Sequence, residues 1–218
     1  MQRQDISRVL APPGRGRPAA SQGWAIRLYE AADEVVWAAK LNLLWLGGTV
    51  AGLIVLGIGP ATLAACTLAR RRTLGESFQA LPAFAAAYRR ELLRGTALLF
   101  SGLGVSVFLA AGVAVLPRPL TLAACAAIVV IMAFLLPMAV HYDVRAYALV
   151  PKASLFALTH PAPAVLLLFL FTAVAYASAM FPFLLPTVAV GGWIQLNTWL
   201  CLRFFAENEA RLRGERMP

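Results

Sequence analysis

From Leu41 to Ala69 the chain reads LNLLWLGGTVAGLIVLGIGPATLAACTLA without a charge, and Arg70, Arg71 and Arg72 follow at once. A straight helix of that length would reach roughly 43 Å at about 1.5 Å per residue, whereas the hydrocarbon core is about 30 Å thick, so the run is too long for one upright crossing. Gly57, Gly59 and Pro60 supply the break, because glycine weakens a helix and proline has no backbone N–H to donate. The residues after Pro60 then form a short broken or re-entrant helix. Four more apolar runs follow, at 96–116, 120–140, 164–181 and 183–202, each about as long as a span, which uses roughly 17 to 25 residues. Pro117-Arg118-Pro119 and Pro182 are the only breaks within each pair, so the four runs are predicted to form two tight helical hairpins.

Helical spacing of a different kind flanks the first run. Trp24, Leu28, Ala31 or Ala32, Val35 and Ala39 recur every three or four residues with Arg27, Glu30, Asp33 and Glu34 between them, which predicts an amphipathic interfacial helix over 24–40. Over 73–95, Thr73 and Glu76 have the spacing of a capping box, and Phe78, Leu81, Phe84, Tyr88 and Leu92 form a stripe. A second interfacial helix, bent near Pro82, is expected there. Residues 1–22 hold Pro, Gly and Arg with few large apolar side chains and read as a disordered basic tail. Residues 207–218 read as a charged cytoplasmic tail, leaving 23–206 as one transmembrane helical domain. The polar residues before the first apolar run point to an uncleaved anchor rather than a cleaved signal.

Composition supports a membrane setting. Of 218 residues, 61% are hydrophobic and 13% charged, with a mean hydropathy of +0.74, well below the usual figure of about 25% charged residues in soluble domains. The net charge of +9 flanks apolar runs instead of forming a groove-reading patch, so no nucleic-acid partner is expected. Of the 19 Lys and Arg, 18 fall before 41, in 70–94, in 141–163 or after 202, and one is Arg118. If the first run crosses and returns, those 18 share the cytoplasmic face with both termini, the best arrangement by the positive-inside rule. Arg70, Arg71 and Arg72 are then topology determinants resting against anionic lipid. The expected fold is all-α, a polytopic transmembrane bundle of five full spans plus the short helix after Pro60.

Candidate chemistry is sparse. No Asp, Glu, Lys, Arg or His lies inside an apolar run, which argues against ion-coupled transport. There is no metal cluster, nucleotide motif or nucleophile with a base, so neither a cofactor nor enzyme activity is expected. Cys66, Cys125 and Cys201 lie in apolar runs and read as free thiols. Asn42, Thr62, Gln195 and Asn197 could line a polar passage or simply bond helix to helix, and the second use is the commoner. Pro60, at the start of the return helix, could turn a positive dipole end toward a solute near Thr62 or merely begin a helix.

At LNLLW (41–45), GLIVLGIGPAT (52–62), FQALPAFAAAYRRELLRG (78–95), LLPMAVHYDVRAYALVPKASLFALTH (135–160) and the terminal FPFLLPTVAVGGWIQLNTWLCLRFF, the chain resembles the YesL family of bacterial integral membrane proteins. The resemblance covers roughly 24–206, with the basic tail as a departure. It implies a multi-pass protein of the bacterial plasma membrane, linked to carbohydrate ABC importers, whose subunits become candidate partners. It carries over no catalytic residues. The expectation is an accessory or assembly component of oligosaccharide uptake. A stand-alone facilitator for an uncharged solute is the alternative, and the oligomeric state is not legible.

Overall fold

The computed structural model describes residues 20–100, 104, 117–141, 146–212 and 214. Among them every regular element is helical: α1 (Ala20–Ala51), α2 (Ile58–Thr73), α3 (Ala80–Arg90), α4 (Arg118–His141), α5 (Ala146–Thr159), α6 (Pro161–Met180), a π-helical turn (Leu185–Ala189) and α7 (Val190–Leu212). A further helical stretch covers 92–100. The basic tail expected over 1–22 lies almost wholly outside the described residues, as does most of the 96–116 run.

Among the described residues two helices, α4 and α6, are long and apolar enough to cross a membrane. The described residues thus hold two candidate spans of the five expected, and most of the 96–116 run lies outside them. The first apolar run is divided between α1 and α2, and the last loses its opening residues to a turn and a π-helical segment before α7 runs on into charged sequence.

The chain divides between Val36 and Trp37 into two compact units. In the first, Trp24, Ile26, Leu28, Tyr29, Val35 and Val36 are all exposed. The predicted amphipathic helix does not stand apart from the first apolar run, since α1 takes in both stretches.

In the second unit, the first apolar run folds back on itself. The reversal occupies 52–57, a few residues before the predicted break, and places Leu53 at φ 55° and Ile54 at φ 64°. Both lie in the left-handed region, which is costly for a β-branched residue. Gly52 and Gly57 make the reversal possible: a Cβ on Gly52 would meet the Gly57 backbone, and one on Gly57 would meet the Thr49 carbonyl. The arms are antiparallel, for Gly48 faces Ala61, Trp45 Nε1 donates to Thr62 Oγ1 at 3.0 Å, and the Arg72 guanidinium lies 4.7 Å over the Trp37 ring.

Small residues put α2 at the centre. Gly59, Pro60, Ala61, Ala64, Ala65, Cys66 and Ala69 are all buried, and α3, α4 and α7 pack on this helix. Its 16 residues extend about 24 Å, less than the hydrocarbon thickness of roughly 30 Å. A short helix shielded by neighbours on every side is the setting in which irregular backbone at membrane depth is tolerated.

The helix expected over 73–95 takes another form. Thr73 turns its hydroxyl back to the Ala69 carbonyl at 2.9 Å, and Glu76 pairs with Arg71 at 2.7 Å, so no capping box forms. Gly75, at φ 73°, ends α2, and α3 starts only at Ala80. Pro82 therefore sits in its first turn, where a missing N–H costs little. α3 lies along the hairpin: Phe84 faces Gly48, Tyr88 faces Gly52, and the backbone of Gly95 crosses that of Gly59 and Pro60. Consequently Arg89, Arg90 and Arg94 lie toward the reversal, and the Arg70–Arg72 triplet lies at the opposite end. The sequence count had grouped all six together.

The directions of the remaining helices follow from their contacts. Asn42 meets Gly191 and Trp37 meets Gln195, so α7 runs antiparallel to α1. Ala133 meets Asn197 and His141 stacks near Phe205, so α4 runs parallel to α7. Phe171 packs edge-on to Trp193 at 5.4 Å, which makes α6 and α7 the antiparallel hairpin that Pro182 predicts. These directions bring Arg70–Arg72, His141, His160 and Arg203 to one end of the unit.

Candidate functional site

Asn42 is fully buried, and its amide stands between two backbone groups of the break before α7. Its Nδ2 donates to the Pro186 carbonyl at 2.6 Å and to that of Leu185 at 3.2 Å. Its Oδ1 accepts from the Gly191 N–H at 2.9 Å. A side chain inserted into the ladder is one of the recognised causes of a helix irregularity. Gly191 permits the approach, because a Cβ there would run into the Ala38 carbonyl and the Asn42 amide nitrogen.

Asn197 does the corresponding work for α4. Pro137 lies inside that helix and has no N–H to give the carbonyl four residues earlier, that of Ala133. The Asn197 Nδ2 donates to this carbonyl at 2.9 Å, with the Cys201 thiol a weaker second donor at 3.7 Å. Asn197 is 2% exposed, so no water replaces the missing donor. Asn197 thus closes the gap that Pro137 opens in α4, and Asn42 satisfies backbone groups on both sides of the π-helical turn before α7.

The other predicted residues occupy separate contacts. Gln195 Oε1 accepts from Trp37 Nε1 at 3.1 Å. Thr62 accepts from Trp45 and donates to the Ile58 carbonyl at 2.7 Å. Pro60 sits in the first turn of α2 against the Gly95 backbone, so this helix start faces another helix. Asn42 and Gln195 share the contact between α1 and α7, but the five residues do not converge on one passage. At the basic end Arg71 lies 4.7 Å over Phe78 and pairs with Glu76, and Arg72 lies 4.7 Å over Trp37, so rings hold both guanidinium groups.

One ionisable residue escaped the sequence reading. Glu91 is 7% exposed and pairs with Arg90 Nε at 3.0 Å and Arg94 Nη1 at 3.7 Å. The spacing Phe84, Tyr88, Glu91, Gly95 puts it on the face of α3 and its continuation that meets the hairpin, and that periodicity is the signal that would have found it. No group of three or more metal-ligating side chains occurs among the described residues.

Among the described residues the geometry thus shows an all-helical protein with two helices long and apolar enough to cross a bilayer and with Asn42, Thr62, Gln195 and Asn197 each bonded to a neighbouring element. The family model for "Protein of unknown function, DUF624" matches residues 38–113, the hairpin, α3 and the residues that follow. The chain is 25% identical over 195 residues to the uncharacterised protein YesV of Bacillus subtilis (strain 168), across 84% of this chain and 94% of that one. No solved structure matches the chain. The two matches are consistent with the YesL-like resemblance of the sequence.

Proposed function

We propose that this is a multi-pass membrane protein that acts by contact with partner proteins and carries no chemistry of its own, serving as an accessory component of carbohydrate uptake. The observation that supports it is the use of Asn42, Thr62, Gln195 and Asn197: each is engaged with another helix, so none is left to form a joint site for a solute. The link to carbohydrate importers rests on the family resemblance. Both termini and the Arg70–Arg72 end face the cytoplasm in this reading, with the arginines against anionic lipid.

Growth provides the test. Deleting the gene should slow growth on one oligosaccharide while the cognate importer is present and change nothing when that importer is absent. Saturable sugar flux through liposomes holding the purified protein alone would replace this reading with the facilitator.

A further inference from the structure

The close crossing of Gly95 on Gly59 and Pro60 leaves a cavity beside it. It has a volume of about 320 Å³ and lies among α2, the 92–100 helix and α4, with Leu63, Leu98, Ile128, Met132 and Leu135 in its wall. Among its described lining residues Thr62 supplies the one hydroxyl. That hydroxyl is already engaged, for it donates to the Ile58 carbonyl at 2.7 Å and accepts from Trp45 Nε1 at 3.0 Å. Such a space offers water little, and apolar cavities of this kind stay dry and take apolar ligands. α4, which forms one side, is long and apolar enough to cross a bilayer, where hydrocarbon chains are the solvent.

Positive charge stands at one edge of this cavity. The α3 ladder runs on past its last turn, with the Glu91 N–H donating to the Ala87 carbonyl at 2.9 Å and the Gly95 N–H to the Glu91 carbonyl at 2.7 Å. Arg90, Arg94 and Leu98 therefore follow at i, i+4 and i+8 along one line of the helix. Arg94 precedes the lining residue Leu98 by one turn, about 6 Å, and Arg90 by two. Long helical side chains lean toward the helix N-terminus, which carries both guanidinium groups away from the cavity floor. The Arg90 side chain is 67% exposed and Arg89 is exposed as well, which suits head-group level and not hydrocarbon. Glu91, the one carboxylate of this stretch, takes a single N–H of the five that Arg90 carries. Set against Arg89, Arg90 and Arg94, it leaves two positive charges. A cationic rim over an apolar floor matches a phosphate head group on a hydrocarbon chain.

We propose that this site holds one anionic phospholipid, with its phosphate at Arg89 and Arg90 and an acyl chain in the cavity between Leu98 and Met132. The arrangement rests on α4 lying in the bilayer and is independent of any partner protein or sugar. It lies at the reversal, away from the Arg70–Arg72 end.

The test uses the purified full-length chain in mild detergent, offered equal amounts of phosphatidylglycerol, phosphatidylethanolamine and phosphatidylcholine, with retained lipid counted by native mass spectrometry. One phosphatidylglycerol per chain should be retained, in preference to the other two by roughly two- to fivefold, the range of an exposed charge pair. The double variant Arg89→Gln, Arg90→Gln should bring the three lipids to parity, because Arg94 is then matched by Glu91. Met132→Trp, which fills the cavity from α4, should abolish retention, and Leu122→Trp at an exposed position of the same helix should leave it as in the wild type. Inorganic phosphate, which has no chain for the cavity, should not displace the lipid. Equal retention of the three lipids by the wild type would overturn the proposal, as would undiminished retention by Met132→Trp or displacement by inorganic phosphate. If Met132→Trp yields no folded protein, the double arginine variant decides alone, and an unchanged preference there would overturn the proposal.

Discussion

Replacing Asn197 by Leu keeps the volume of the side chain and removes the donor that reaches the Ala133 carbonyl at 2.9 Å. At 2% exposure the site admits no replacement water, so the carbonyl is left with the 3.7 Å thiol contact of Cys201. A buried acceptor deprived of its partner costs about 1–3 kcal/mol. Interhelical bonds inside membranes average nearer ~0.6 and reach ~1.7 kcal/mol, because the unfolded chain in lipid also finds partners. An expected loss of about 1–2 kcal/mol satisfies both ranges. The cause can be separated from the size by a second change. Pro137→Ala restores an N–H four residues after Ala133, so the carbonyl regains a donor within its own helix. Measured by equilibrium unfolding in mixed micelles, Asn197→Leu should therefore cost less than half as much in the Pro137→Ala background as in the wild type. The loss of packing from the proline ring enters both arms of the cycle and cancels. Equal losses in the two backgrounds would refute the idea that Asn197 serves the proline gap.

Asn42→Leu removes three bonds at once and should lower stability by about 2–4 kcal/mol at ~0.5–1.5 kcal/mol per bond. Asn42→Asp should do no better in the same unfolding assay, since a carboxylate has no proton for the Leu185 and Pro186 carbonyls. Gly191→Ala drives a methyl group into the Ala38 carbonyl and should cost about 1–3 kcal/mol. Gly47→Ala, where a Cβ meets nothing within 4 Å, should be neutral or stabilise by up to ~1 kcal/mol, and a similar loss at both glycines would contradict the packing described. A cysteine at the exposed Ser77, in a Cys125→Ser background, should react with a membrane-impermeant maleimide only after the cells are opened. Labelling in intact cells would reverse the proposed orientation.

The hairpins were legible where the backbone chemistry is local. Pro182 marks the turn between α6 and α7, and a break in the first apolar run follows from its length alone. The site of that break was not legible, because the reversal uses Leu53 and Ile54 in a conformation their side chains disfavour. The tight fit of Gly52 against Gly57 and the backbone hydrogen bonds of the turn, among them Ile54 N–H to the Thr49 carbonyl at 2.8 Å, hold them there. Asn42 and Asn197 were identifiable as polar residues in apolar runs. Their actual partners lie more than 50 positions away in sequence, the backbone around Pro186 for Asn42 and the Ala133 carbonyl below Pro137 for Asn197, and no local pattern connects them. Thr73 and Glu76 show the opposite failure: a correct local motif lost to Arg71, which draws Glu76 toward the end of α2. Glu91 was passed over because it lies outside the apolar runs, yet the close crossing of Gly95 on Gly59 carries its turn of helix into the interior.

The bond between Ala133 and Asn197 joins residues 64 positions apart, and this separation sets an order of events during synthesis. At roughly 5–20 residues per second, α4 waits about 3–13 seconds with one carbonyl bare before its donor is made. Throughout that interval the nascent chain holds a spanning helix that is incomplete by one hydrogen bond. A ribosome that stops before Asn197 releases a product with the defect made permanent. The last described helix thus completes the hydrogen bonding of the fourth only once both have been made.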